Sequence, residues 1–188
     1  RRRAPDPWVR APAGARRHPR PGIREYELQA EIEREFRRHD AQPAYGSIVA
    51  AGANACVLHY HANAAAAKDG ELVLIDAGAE YRGYAADITR TFPVNGRFTA
   101  PQRALHDRVC DAQAAALAQA RVGVAYEAGH LAAVETLTEG LLRLGLLKGK
   151  LAKNLADGSY KRFYRHKTGH WLGLDVHDVG EYRIDGQS

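Results

Sequence analysis

Two aspartates interrupt apolar stretches in which a carboxylate is costly. Asp76 ends the run Leu72-Val73-Leu74-Ile75, and Asp87 sits inside Tyr84 to Val94 (YAADITRTFPV). A carboxylate at the end of a buried strand costs several kcal/mol unless something compensates it. If a hairpin turns at Arg82-Gly83, Tyr81 faces Tyr84 and Asp87 faces Gly78. Asp76 and Asp87 then share one face of a sheet as diagonal neighbours, with Cα atoms about 7–8 Å apart. Two like charges held there repel unless protons or cations lie between them. A pair of divalent cations about 3.5–4 Å apart fits such a gap. The plainer alternative is that either aspartate caps a turn, Asp76 bonding the backbone around Gly78. Spacing alone leaves both open.

Histidines supply the next candidates. His166 and His170 stand four apart, and His177 lies seven beyond His170. The Glu of a helical H-E-x-x-H zinc site is missing, and Gly169 and Gly173 disfavour a helix. On strands, His166 and His170 share a face while His177 has the opposite parity, so a bend at Gly173 is needed to unite them. His59 follows the apolar residues Cys56-Val57-Leu58 and is expected to point inward. Oxygen-rich ligation with one imidazole suits manganese, cobalt or iron better than an all-nitrogen zinc site. The basic and aromatic stretch Tyr160 to Arg165 reads as an amphipathic strand rather than a single-strand nucleic-acid binder. The absence of P-loop, G-x-G-x-x-G and G-x-S-x-G motifs from the sequence argues against nucleotide binding and serine hydrolysis.

The elements that must position these residues form an α+β pattern. Leu28, Ile32 and Phe36 recur every four residues within 25–38, which predicts an amphipathic helix. Ser47 to Ala51 and Cys56 to Tyr60 predict short strands, and Lys68-Asp69-Gly70 a turn. The run 72–75 predicts a strand buried on both faces, and 84–94 a second strand. Thr99 and Gln102 have capping-box spacing, with Pro101 in the first turn, and open a helix running to about Ala120. A second helix starts near Tyr126, packs through Leu131, Val134, Leu137, Leu141 and Leu142, and stops at Gly145. A polar loop and a strand-like stretch at 160–179 follow. Helix, strands, two helices and strands describe an α+β domain.

Composition bounds the rest. At 188 residues with 45% hydrophobic, the chain buries one sizeable core, and no apolar run reaches the ~18 residues of a membrane span. The net charge is +5, but residues 1–24 carry +7, so the remainder carries −2. The high pI therefore belongs to an Arg/Pro-rich tail, residues 1–20, expected to be disordered, and no nucleic-acid partner is assigned. Residues 21–188 are read as the folded domain. The tail lacks periodicity and the chain lacks methionine, so residues 1–20 are expected to be foreign to the domain, even frame-shifted. Cys56 and Cys110 are too few for a disulfide scaffold; they suit a reducing cytoplasm and are expected to be buried thiols.

Two long stretches carry a family resemblance. LVLIDAGAEYRGYAADITRTFPVNGRF (72–98) and HKTGHWLGLDVHDVGEY (166–182) resemble the signature blocks of aminopeptidase P. This is the Xaa-Pro aminopeptidase branch of the pita-bread metallopeptidases, which also include prolidase, methionine aminopeptidase and creatinase. YGSIVAAGANACVLHY (45–60) is similar to a third block. The resemblance implies a pita-bread fold, incomplete at the C-terminus, and two divalent metal ions, usually Mn(2+). It implies Asp76, Asp87 and His170 as ligands, with His59 and His177 lining the substrate site and His166 close by. The implied substrates are peptides with proline in second position, and the full-length parent is allowed to be a homo-oligomer. Two further glutamate ligands of the family fall past Ser188, so weak metal binding and little turnover are expected of this chain. Lys167 replaces the first glycine of the usual H-G-x-x-H block and adds a cation there. The alternatives are a prolidase-type dipeptidase and a non-catalytic peptide-binding module.

Overall fold

The computed structural model describes residues 19–183. The expected tail at 1–20 lies outside the described residues except for its last two. The chain divides into two compact units. One holds the residues up to Phe98 together with Trp171–Val179; the other holds Thr99–His170 and the residues from Gly180 onward.

In the first unit, helix α1 (Glu25–Arg38) forms where the four-residue spacing predicts it. Leu28, Ile32 and Phe36 are buried, and the charged residues between them face out. The stripe packs with Val49, Val73, Ile75, Phe92 and Val94 into the main core. Those partners come from β2 (Ile48–Ala51), β3 (Leu72–Ala77) and β6 (Ile88–Pro93), an antiparallel sheet in the order β2-β3-β6, and from the end of β6. A second small sheet orders β1 (Gln42–Pro43), β4 (Ala79–Tyr81) and β5 (Tyr84–Ala85) as β1-β4-β5.

One register runs through both sheets. Tyr81 pairs with Tyr84, as the Arg82-Gly83 turn predicts, and the same offset continues to Asp76↔Thr89 and Leu72↔Pro93. The expected long strand is broken at Ala86 and Asp87, between β5 and β6. Gly78 explains the crossing. A Cβ there would overlap the Ala86 carbonyl, so only glycine lets the two backbones approach this closely. β3 is also not buried on both faces. Val73, Ile75 and Ala77 are buried and Leu72, Leu74 and Asp76 half-buried, the alternation of a sheet covered fully on one side.

Two expected strands are absent among the described residues. The stretch from Cys56 to Tyr60 follows a 3₁₀ turn (Gly52–Cys56) instead of pairing. Asn54 in that turn donates to the Glu25 carboxylate at 3.0 Å, which fixes the turn, and Val57 and Leu58 are left 56% and 64% exposed. Residues 160–179 begin with a 3₁₀ turn (Ser159–Arg162) and make no strand. Their backbone groups are used locally, Gly173 donating to the Asp175 carbonyl and Asp178 to that of Trp171. Both cysteines are exposed, not buried. Cys56 lies at the end of the 3₁₀ turn, and Cys110 lies on a solvent-facing side of its helix, with its Sγ 3.6 Å from His106 Nδ1.

In the second unit, α2 (Ala100–Ala118) opens with the expected capping box, Thr99 accepting from Gln102 N and Gln102 returning a bond to Thr99 N. It packs on α3 (Glu127–Arg143). The buried stripe of α3 is Ala133, Val134, Thr138, Gly140 and Leu141, while Leu131 is exposed. Of the expected stripe, Val134 and Leu141 are buried and Leu137 and Leu142 half-buried, and small residues beside them let α2 come close: the Arg108 side chain lies where a Gly140 Cβ would crowd it. The polar loop contains a further helix, α4 (Leu151–Asp157). Among the described residues, no helix is long and apolar enough to cross a membrane.

Candidate active site

Asp76 and Asp87 meet where the register predicts, and a residue that spacing did not single out joins them. The Tyr45 hydroxyl donates to Asp76 Oδ1 at 2.6 Å and lies 3.0 Å from Asp87 Oδ1. Tyr45 is placed by the strand pairing around it: Ala44 N donates to the Gly78 carbonyl, and β2 begins at Ile48 opposite Asp76. A single hydroxyl proton thus serves two half-buried carboxylates. The Thr89 hydroxyl, directly across the ladder from Asp76, gives Asp76 a second donor.

Burial is the main force raising the Asp76 carboxyl above its ordinary range. The charge of Asp87 pushes the same way, and the bonds from Tyr45 and Thr89 counter it only in part. Burial first, and then the two carboxylates, keep the Tyr45 phenol protonated far above its usual range. The bonds that Asp76 receives do not offset its burial beside a second carboxylate. Two carboxylates sharing one donor form a hard, oxygen-rich set, which suits a divalent cation. The residues present therefore fit a metal at this point. Among the described residues, no group of three or more His, Cys, Asp or Glu side chains is arranged to hold a metal ion.

The histidines are placed as follows. His59 is exposed, not turned inward, and takes a left-handed backbone conformation (φ 53°) in the turn that replaces the expected strand. His177 is exposed on the loop Trp171–Val179 of the first unit. That loop is anchored beside the aspartates: Ala85 N, two residues before Asp87, donates to the Gly173 carbonyl at 2.8 Å. Asp178 closes the loop by accepting from Leu174 N and Val179 N. Within the loop only glycine fits at position 173, since a Cβ there would collide with the Asp178 carboxylate. His166 and His170 lie in the second unit, His166 exposed with its Nδ1 2.9 Å from the Lys167 carbonyl, His170 half-buried.

Comparison with known proteins decides the family. The sequence profile described as "Metallopeptidase family M24" matches residues 8–187. The chain belongs to this family. An Xaa-Pro aminopeptidase of Escherichia coli is 48% identical over 167 residues, 88% of this chain and 38% of that protein. The structure of Pseudomonas aeruginosa aminopeptidase PepP is 54% identical with a TM-score of 0.94, covering 96% of this chain and 41% of that one. A zinc-substituted Escherichia coli aminopeptidase P in complex with product gives a TM-score of 0.94 at 46% identity, covering 43% of its chain. The M24 chain described here thus has the pita-bread fold of aminopeptidase P and spans about two fifths of the length of these relatives.

Proposed function

We propose that this chain contributes to a metal-dependent aminopeptidase that removes the N-terminal residue from peptides with proline in second position. The observation that carries the reading is the Asp76–Asp87 pair sharing the Tyr45 proton. The M24 relatives, with their Xaa-Pro aminopeptidase names, support it.

In this reading Asp76, Asp87 and His170 hold divalent metal, with Mn(2+) the preferred ion for an oxygen-rich set. When bound, such metal supplies Lewis-acid polarisation of the scissile carbonyl and makes a water more acidic. The chain's own residues do the rest. Tyr45 and Thr89 hold the Asp76 carboxylate in orientation, as partners outside the ligand set do. His59 and His177 supply hydrogen bonds to the oxyanion that develops on the carbonyl oxygen, and a proton to the departing proline nitrogen. His166 is read as a further substrate-site residue. The His177 loop, tied at Gly173 to the hairpin bearing Asp87, is suited to such a role.

The test is a chimera. Residues 21–188 replace the matching stretch of the Escherichia coli Xaa-Pro aminopeptidase, and release of the first residue from a tripeptide with proline second is followed. The expected result is Mn(2+)-dependent cleavage that disappears in Asp76→Asn. A folded chimera that binds metal but leaves the tripeptide intact would overturn the proposal. Cleavage confined to dipeptides would assign a prolidase instead.

A further inference from the structure

The segment carrying His166 and His170 is fastened inside the second unit by three side chains with no assigned role. Thr168 Oγ1 lies 2.8 Å from His130 Nδ1 and 2.6 Å from the Tyr164 hydroxyl. His130 belongs to the first turns of α3, and its ring stands 5.9 Å from that of Tyr164, tilted by 37°. One threonine hydroxyl thus joins the helix to the chain leading into the histidine segment. A hydroxyl donates once and accepts readily, so it links two polar partners without leaving either unpaired. Burial, aided by the charge of Lys167 and opposed by Glu127, lowers the His130 pKa, which keeps one ring nitrogen free to accept.

Neighbouring contacts add to the fastening. Lys167 Nζ lies 3.4 Å from Glu127 Oε1, but these side chains are 71% and 40% exposed, and such pairs contribute little. Gly169 passes near the Tyr126 hydroxyl, and Tyr126 meets Tyr182 edge-on at 4.9 Å on the same flank.

We propose that Thr168 is a positioning residue: its hydroxyl clamps the His166–His170 segment to α3 through His130 and Tyr164. The proposal rests on the reading of His170 as a metal ligand. The clamp lies two residues from that ligand, and it holds the backbone from which the imidazole projects.

The test uses the full 188-residue chain and two readouts. Thr168→Val keeps the shape and removes both bonds, whereas Thr168→Ser keeps the bonds. Backbone NMR order parameters over residues 165–170 are expected to fall below about 0.6 in Thr168→Val and to recover in Thr168→Ser. Affinity for Mn(2+) alone is expected to drop about tenfold in Thr168→Val, with the same rescue. Should Thr168→Val fail to fold, Tyr164→Phe removes one of the two bonds and is read in the same way. Unchanged order parameters would overturn the clamp. Looser order with unchanged Mn(2+) affinity, while Asp76→Asn still weakens it, would overturn the positioning role. A wild-type chain that binds no Mn(2+) would count against the metal reading, and the order parameters would then decide the clamp alone.

Discussion

Two carboxylate sites in the first unit show how differently one fold treats buried negative charge. Glu25, 1% exposed, receives four donors: the backbone N–H of Ala51 and Ala65, the Asn54 amide and the Tyr60 hydroxyl. Burial raises its pKa, yet these bonds outweigh it and the net shift is downward. Asp76 has two donors, one of them shared with Asp87, and its net shift is upward. A carboxylate satisfied by the protein is a structural tie, here between the start of α1, the end of β2 and the chain near Ala65. A carboxylate whose bonds do not offset its burial, with a second carboxylate beside it, suits a cation. Burial alone does not separate the two; the count and sharing of donors does.

The comparison breaks first if Glu25 proves dispensable. Glu25→Ala leaves the buried Ala51 N–H, the half-buried Ala65 N–H and the Tyr60 hydroxyl without their acceptor, and should cost about 4 kcal/mol in urea denaturation. The acid limb of stability sharpens the same point. Because the folded Glu25 pKa lies below its ordinary 4.5, the stability it gives is present above that value and lost as pH falls through the folded pKa. Asp76 has the opposite sign: its contribution is present below the ordinary 3.8 and is lost as pH rises through the elevated pKa. Urea midpoints measured from acid to neutral pH should show a shallower acid-side fall in Glu25→Gln. In Asp76→Asn the neutral side should rise relative to wild type.

Gly78→Ala comes next. Its Cβ would strike the Ala86 carbonyl, so a loss of about 3 kcal/mol is expected, together with weaker Mn(2+) binding as Asp87 shifts. Tyr45→Phe removes the donor shared by the two aspartates and should cost about 2 kcal/mol without metal. Added Mn(2+) should recover part of that loss, because a cation replaces the missing proton; a thermal melt with and without the ion reads it. The smallest effect is the most telling. Asp76→Asn, measured without divalent ions, should change stability by no more than about 1 kcal/mol, and towards greater stability, because it removes a repulsion.

Much of this was legible from particular residues. The Arg82-Gly83 turn fixed the register, and the register placed Asp76 beside Asp87. The same register also puts Thr89 across from Asp76, a partner that the sequence reading passed over although the pairing contained it. Tyr45 had no such signal, since its position depends on β2 pairing with a strand some thirty residues away. The strand expected at Cys56 to Tyr60 failed because Asn54 serves Glu25, a long-range polar bond that hydrophobic alternation does not register. Leu131 was misplaced on α3 because helix packing there is set by glycine, alanine and threonine, whose small volumes weigh little in an apolar pattern. Local periodicity reported the covalent neighbourhood well, and it missed what distant polar partners impose.

The central claim is that Asp76 and Asp87 form the cation site while Glu25 does not. Paramagnetic broadening by Mn(2+) in the backbone NMR spectrum of the 188-residue chain tests it most directly, since it detects weak binding and locates it. The expected result is selective loss of signal from Tyr45, Asp76, Asp87 and Thr89, abolished in Asp76→Asn and preserved in Glu25→Gln. Broadening spread evenly over exposed carboxylates, or unchanged in Asp76→Asn, would contradict the account.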